Sequence, residues 1–322
     1  MFKAAIAAAL CAPSAAESLG GSLRMGMDHD HFGGHKMERT FITYTDLPMG
    51  EEALTKKGWH KQNDECDPHL GFSWTEEKLG NTRKKPIVLY TTKGGQPSGV
   101  GMMFVGLDGQ EPLPEEQKKW ATKAPMTRTT TSEASAHVDV AFRSGEILCS
   151  GEKDDAPVGT TLIVNPAGDA GTSLTIPITE AGVKDQGWHR GSCFDGMGWH
   201  WFFDTSKRDG EMSWMADNLF PIVTMFHEGE LNAIFFAAHQ SQISLPFLAA
   251  NEWEPAALDN ENMCKNTCDK ECDFKGVVDK WSTAHIYFRD HKEVTCPSDL
   301  TCGITFPLRA NCCEVARADV VV

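Results

Sequence analysis

Short apolar runs, some of them alternating with polar residues and rich in β-branched and aromatic side chains, recur along the middle of the chain. Alternation with period two buries one face of an extended strand. It predicts strands in FITYTDLP (41–48), PIVLYTT (86–92), SGVGMMFVG (98–106), SLTIPIT (173–179), PIVTMF (221–226) and ELNAIFFAAH (230–239). Lys93-Gly94-Gly95 and Glu228-Gly229 sit between successive runs and predict hairpin turns, where glycine supplies positive φ. Helical signals are few: GEEALTKKG closed by Gly58, EAGVKDQG before Trp188, and PEEQKKWA at 114–121. The pattern therefore predicts a mainly β protein, a β-rich α+β chain with sandwich-like or barrel-like units.

The run of landmarks between Gly58 and Cys149 returns between Gly187 and Cys296. GWHKQNDEC returns as GWHRGSC, and each cysteine is followed at the same spacing by Gly and then Trp. PIVLYTTKG returns as PIVTMFHEG, and AHVDVAFRSGEILC returns, compressed, as AHIYFRDHKEVTC. This reads as a degenerate tandem duplication, with units at 39–168 and 169–322. It pairs His60 with His189 and His137 with His285. It also makes Cys66–Cys149 and Cys193–Cys296 the simplest disulfides, one staple per unit, although bridges between units remain open.

The first residues change the setting. Lys3, the apolar run Ala4–Ala12 and the small residues Ser14-Ala15-Ala16 read as a signal peptide over 1–17, with a core helix as the alternative. Its removal takes Cys11 and leaves an even set of cysteines, as expected of a secreted, disulfide-bonded chain. An endomembrane or plastid-lumen route fits the same start. Net charge is −15 at pH 7, which disfavours nucleic acid and anionic membranes as partners and leaves a small-molecule ligand. Residues 18–38 are Gly-rich without apolar periodicity and read as a flexible arm.

Candidate chemistry is concentrated in histidines and rings. His29, His31 and His35, with Met25, Met27 and Met37, offer a metal-ligand set in the arm that suits copper. Cys264, Cys268 and Cys272 sit four apart, a spacing compatible with zinc or with disulfides. The second unit gains Trp199, His200 and Trp201, then His227, then His239, where the first has few counterparts. Phe235, Ala237 and His239 share one strand face, as do His285 and Tyr287. His200, His239 and His285 are thus the candidate catalytic or metal-ligating groups. Trp199, Trp201, His227 and Tyr287 are candidate ligand contacts in an aromatic pocket. The alternative is an aromatic core with surface histidines. No hydrolase elbow, zincin helix or phosphate loop is present. The expected functions are an oxidoreductase or a lyase/isomerase with copper or zinc, or a non-catalytic extracellular module binding sugar or protein.

Overall fold

The computed structural model describes residues 19, 24–27, 43–77, 86–105, 127–128, 136–167, 173–194, 196–203, 220–239, 254–256 and 281–296. In chain order these form β1 (Arg24–Met27), β2 (Thr43–Asp46), α1 (Glu51–Lys56), β3 (His60–Lys61), β4 (Phe72–Thr75), β5 (Ile87–Thr91), β6 (Pro97–Val105), β7 (Thr127–Arg128) and β8 (Ala136–Ala141). They continue with α2 (Ile147–Ser150), β9 (Ile163–Val164), β10 (Leu174–Thr175), α3 (Glu180–Asp185), β11 (His189–Phe194), β12 (Gly198–Phe202), β13 (Ile222–His227), β14 (Glu230–His239), β15 (Glu254–Ala256) and β16 (Trp281–Tyr287). The protein is mainly β, as its alternation predicts. The signal segment, His29, His31, His35, Met37, the PEEQKKWA run and Cys264, Cys268 and Cys272 lie outside the described residues.

All pairings within the sheets are antiparallel. Sheet I runs β10-β9-β8-β6-β5-β4-β3, with β7 also on β8; sheet II runs β2-β1-β16-β14-β13-β12-β11, with β15 also on β16. Neither sheet closes, which corrects the barrel-like expectation: the outer strands of each order are edges rather than neighbours. A second correction concerns the arm. Arg24–Met27 is a strand, with Met25 opposite Ile286 and Gly26 opposite His285. Four residues are too few to carry a periodicity, so pairing with a distant strand overrides the local signal.

β1 and β2 precede α1 in the chain yet complete the sheet otherwise built from residues 189–287. β9 and β10 do the reverse, since Val164 pairs with Val140 of β8. Side chains from both sheets form one buried cluster. Within it Phe142, just past β8, meets Phe288, just past β16, edge to face at 5.4 Å and 89°.

The repeated short motifs have local physical causes. After α1, Gly58 takes φ 82°, its N–H donates to Thr55 O, and the Trp59 N–H donates to Leu54 O. After α3, Gly187, Trp188, Lys184 and Val183 make the same two bonds. Each is a Schellman ending, with buried Leu54 or Val183 near a buried tryptophan. The glycine of C-x4-G-x2-W is required by close approach. A Cβ on Gly71 would sit 2.2 Å from Thr91 O, and one on Gly198 would sit 2.3 Å from Phe226 O.

Both expected disulfides are present. Cys66–Cys149 and Cys193–Cys296 each have a Cα–Cα distance of 5.9 Å and span 83 and 103 residues. In the chain-entropy account, each loop of that size contributes about 4–5 kcal/mol.

The Phe-Arg pairs diverge. Arg143 is buried, donating to both Asp154 carboxylate oxygens at 3.0 and 2.8 Å and to the carbonyls of Pro97, Ala156 and Val158. That guanidinium holds the Asp154 carboxyl below the ordinary aspartate range, chiefly through its hydrogen bonds. Arg289 is more exposed and pairs with Glu230.

Candidate functional site

Strand alternation gives sheet II two unlike faces. Trp201, Ile234, Phe236 and Ile286 face the shared core. On the opposite face, His200 and Phe202 of β12 lie beside Met225 and Val223 of β13, then Ala233 and Phe235 of β14, then Tyr287 and His285 of β16. These residues are buried as well, His200 and His285 at 5% exposure each.

The rings form a continuous row. His200 lies 5.7 Å from Phe235, Phe235 lies 5.0 Å from His285, and His285 stacks at 6.0 Å on Tyr287. Phe202 stacks on the other side of His200 at 6.4 Å. His200 Nδ1 is 3.1 Å from the Gly198 carbonyl. A carbonyl only accepts, so this contact places a proton on Nδ1.

Of the expected site residues, the structure brings together His200, His285 and Tyr287. Trp199 and Trp201 are on the other side of the sheet, because they alternate with His200 along β12. Trp201 donates its indole N–H to Glu180 at 3.1 Å, and the Arg190 guanidinium lies 4.4 Å from the Trp199 ring. His227 ends β13 at the hairpin turn, where its Nε2 accepts from the Thr295 N–H at 3.3 Å. His239 ends β14 in register with Trp281. Among the described residues no group of three or more His, Cys, Asp or Glu is placed to hold a metal ion. The ring of Phe235 is the shared neighbour of His200 and His285.

The outer face of sheet I carries a different cluster, of which the sequence pattern flagged only His137. Tyr90 donates its hydroxyl to Asp139 Oδ1 at 2.7 Å, and His137 Nε2 lies 2.8 Å from Asp139 Oδ2. Asp139 is 3% exposed, so these contacts replace its lost water. Gly101 makes the room, since a Cβ there would lie 2.4 Å from Asp139 Oδ1. The signal in the sequence was a lone Asp inside the apolar run of β8, with Gly-x-Gly in β6.

The two hairpins also show which positions match. Met103 N–H donates to Pro86 O and Ala237 N–H to Pro221 O, while Phe142 and Phe288 donate to Ser98 O and Asn232 O. With those bonds superposed, Asp139, opposite Gly101, falls at the place of His285, opposite Phe235. The shared Ala-His pair therefore marks two different positions, and His137 falls at the place of Thr283. A paired strand cannot absorb a two-residue gap without breaking its ladder, so the length difference lies upstream.

No protein-family model, curated protein or solved structure matches this chain. Among the described residues no helix is long and apolar enough to cross a membrane.

Proposed function

We propose that this is a secreted protein of two related, disulfide-stapled units that binds a small planar ligand on the outer face of sheet II. The observation that carries the reading is the buried row His200–Phe235–His285–Tyr287, in which ring centroids follow one another at 5.0–6.0 Å. Rings at that spacing offer stacking area together with polar edges. Secretion is supported by the pair of disulfides, which persist in oxidising compartments. The duplicated design is supported by the matching strand orders and helix endings. The net charge of −15 argues against nucleic acid and anionic membranes as partners.

A second reading, acid–base catalysis of the lyase or isomerase type on the same ligand, is favoured by the two histidines, His200 and His285, that flank Phe235 in that row. Both readings assign the histidines to hydrogen bonding and proton transfer.

Indole and p-cresol are suitable probes, since each joins one donor to a planar ring. Saturation-transfer NMR on the mature protein is expected to detect both. His200→Leu or His285→Leu, which keep apolar bulk, are expected to weaken them about tenfold, the worth of one hydrogen bond or ring contact. Undiminished binding in both variants would overturn the reading.

A further inference from the structure

In both units the residue before the second disulfide cysteine is tied to the turn of the central hairpin. In sheet I the tie is backbone to backbone: the Lys93 N–H donates at 2.8 Å to the carbonyl of Leu148, which precedes Cys149. In sheet II the matching residue is Thr295, which precedes Cys296, and its N–H donates to His227 Nε2 at 3.3 Å. The PIV match places His227 at the position of Thr92, beside Lys93, so an imidazole does in sheet II what main chain does in sheet I. A backbone N–H can only donate, so this tie requires an Nε2 without a proton. Once Nε2 is protonated, two donors face each other and the tie is lost.

The rest of that segment is held by other means. Cys296 is bonded to Cys193 of β11, the Val294 carbonyl accepts from the Gly196 N–H at 2.8 Å, and the Val294 side chain is buried. None of these contacts uses an imidazole, so losing the His227 tie frees Thr295 from the β13–β14 hairpin and leaves the segment on the sheet. From this arrangement we propose that His227 and Thr295 form a pH-sensitive clasp between that hairpin and the segment carrying Cys296. The clasp is closed while the His227 ring is neutral and opens once acid protonates it. Charged neighbours come from every side. Glu228 is on the same turn; Glu230 is in register with His227 and pairs with Arg289. Glu180 of α3 donates its N–H to Gly229 O, and Asp290, His291, Lys292 and Glu293 lead into the segment. On the β12 side, Arg190 lies over Trp199, the register partner of Phe226. These charges set where the ring titrates, whereas the clasp rests on one nitrogen. The proposal stands apart from the ligand reading, since it uses no residue of the ring row.

The test follows the His227 ring and the Thr295 amide of the full chain by 1H–15N NMR as pH is lowered. Hydrogen exchange is measured on both sides of the ring's midpoint and corrected for its intrinsic pH dependence. The expected result is a shared midpoint, across which the Thr295 protection factor falls about two- to tenfold, the worth of one hydrogen bond. The Lys93 amide is expected to keep its protection, because its acceptor is a carbonyl. His227→Gln offers a side-chain acceptor that does not titrate, and is expected to leave Thr295 protected at both pH values. A Thr295 response that persists in His227→Gln would assign the effect to His291 or the nearby acids and overturn the proposal. A His227 ring that titrates while Thr295 keeps one protection factor throughout would overturn it as well.

Discussion

Sheets I and II share strand order, hairpin bonds and helix endings, and they differ in what their matching positions bury. On the outer face of sheet I, Ser73, Gly101 and Asp139 stand where sheet II has His200, Phe235 and His285. One face closes on itself: Tyr90 and His137 satisfy the carboxylate of Asp139, and Gly101 gives it space. The other face carries the buried ring row His200–Phe235–His285–Tyr287. Past the closing strands, Arg143 is buried among five oxygen acceptors, whereas Arg289 makes a more exposed ion pair with Glu230. The difference teaches that one backbone pattern supports a hydrogen-bonded carboxylate cluster in one place and a buried row of rings in another.

The largest break in this comparison is expected at the arginines. Arg143→Ala should cost about 3–5 kcal/mol in denaturant unfolding, because it strips the partners from buried carbonyls and from Asp154. Arg289→Ala should cost less than about 1 kcal/mol, as for exposed pairs. The Asp154 carboxyl has a depressed pKa in the folded state. Its contribution is therefore complete above the ordinary aspartate range and is lost as pH falls through the folded value. Asp154→Asn should flatten the acid limb of the stability profile, measured as melting temperature against pH.

Next comes the polar cluster. Asp139→Ala leaves the Tyr90 hydroxyl and His137 Nε2 without their shared carboxylate, and should cost about 2–4 kcal/mol by chemical denaturation. Small effects equal to that of a surface substitution would show the cluster to be dispensable. A smaller effect than that of Asp139→Ala comes from its neighbour on β6. Gly101→Ala should cost about 1–3 kcal/mol from crowding Asp139. The double variant Gly101→Ala/Asp139→Ala should cost little more than Asp139→Ala alone, because the second change removes the clash; strict additivity of the two losses would contradict the geometry.

Much of this fold is legible in local sequence. Both cysteine pairs, the hairpins around Gly95 and Gly229, and the Gly-Trp endings of α1 and α3 each have a cause within a few residues or in the internal match. The pairing of β1 with β16 does not, because four residues of β1 meet a strand some 260 positions away and nothing local specifies the partner. The site was legible in part. Alternation places Phe235 and His285 on usable faces, but the same alternation separates Trp199 and Trp201 from His200, and a composition-based reading of ring-rich segments overlooks it. Tyr90 and Asp139 are 49 residues apart, so their contact is set by the order of β5, β6 and β8 rather than by spacing.

The contrast between the two outer faces is tested most directly by following the histidine rings in long-range 1H–15N spectra as indole is added to the mature protein. The account predicts that the His200 and His285 ring resonances shift with saturation while those of His137 stay in place. Movement of His137 with His200 and His285 unmoved, or no movement in any of the three, would contradict it.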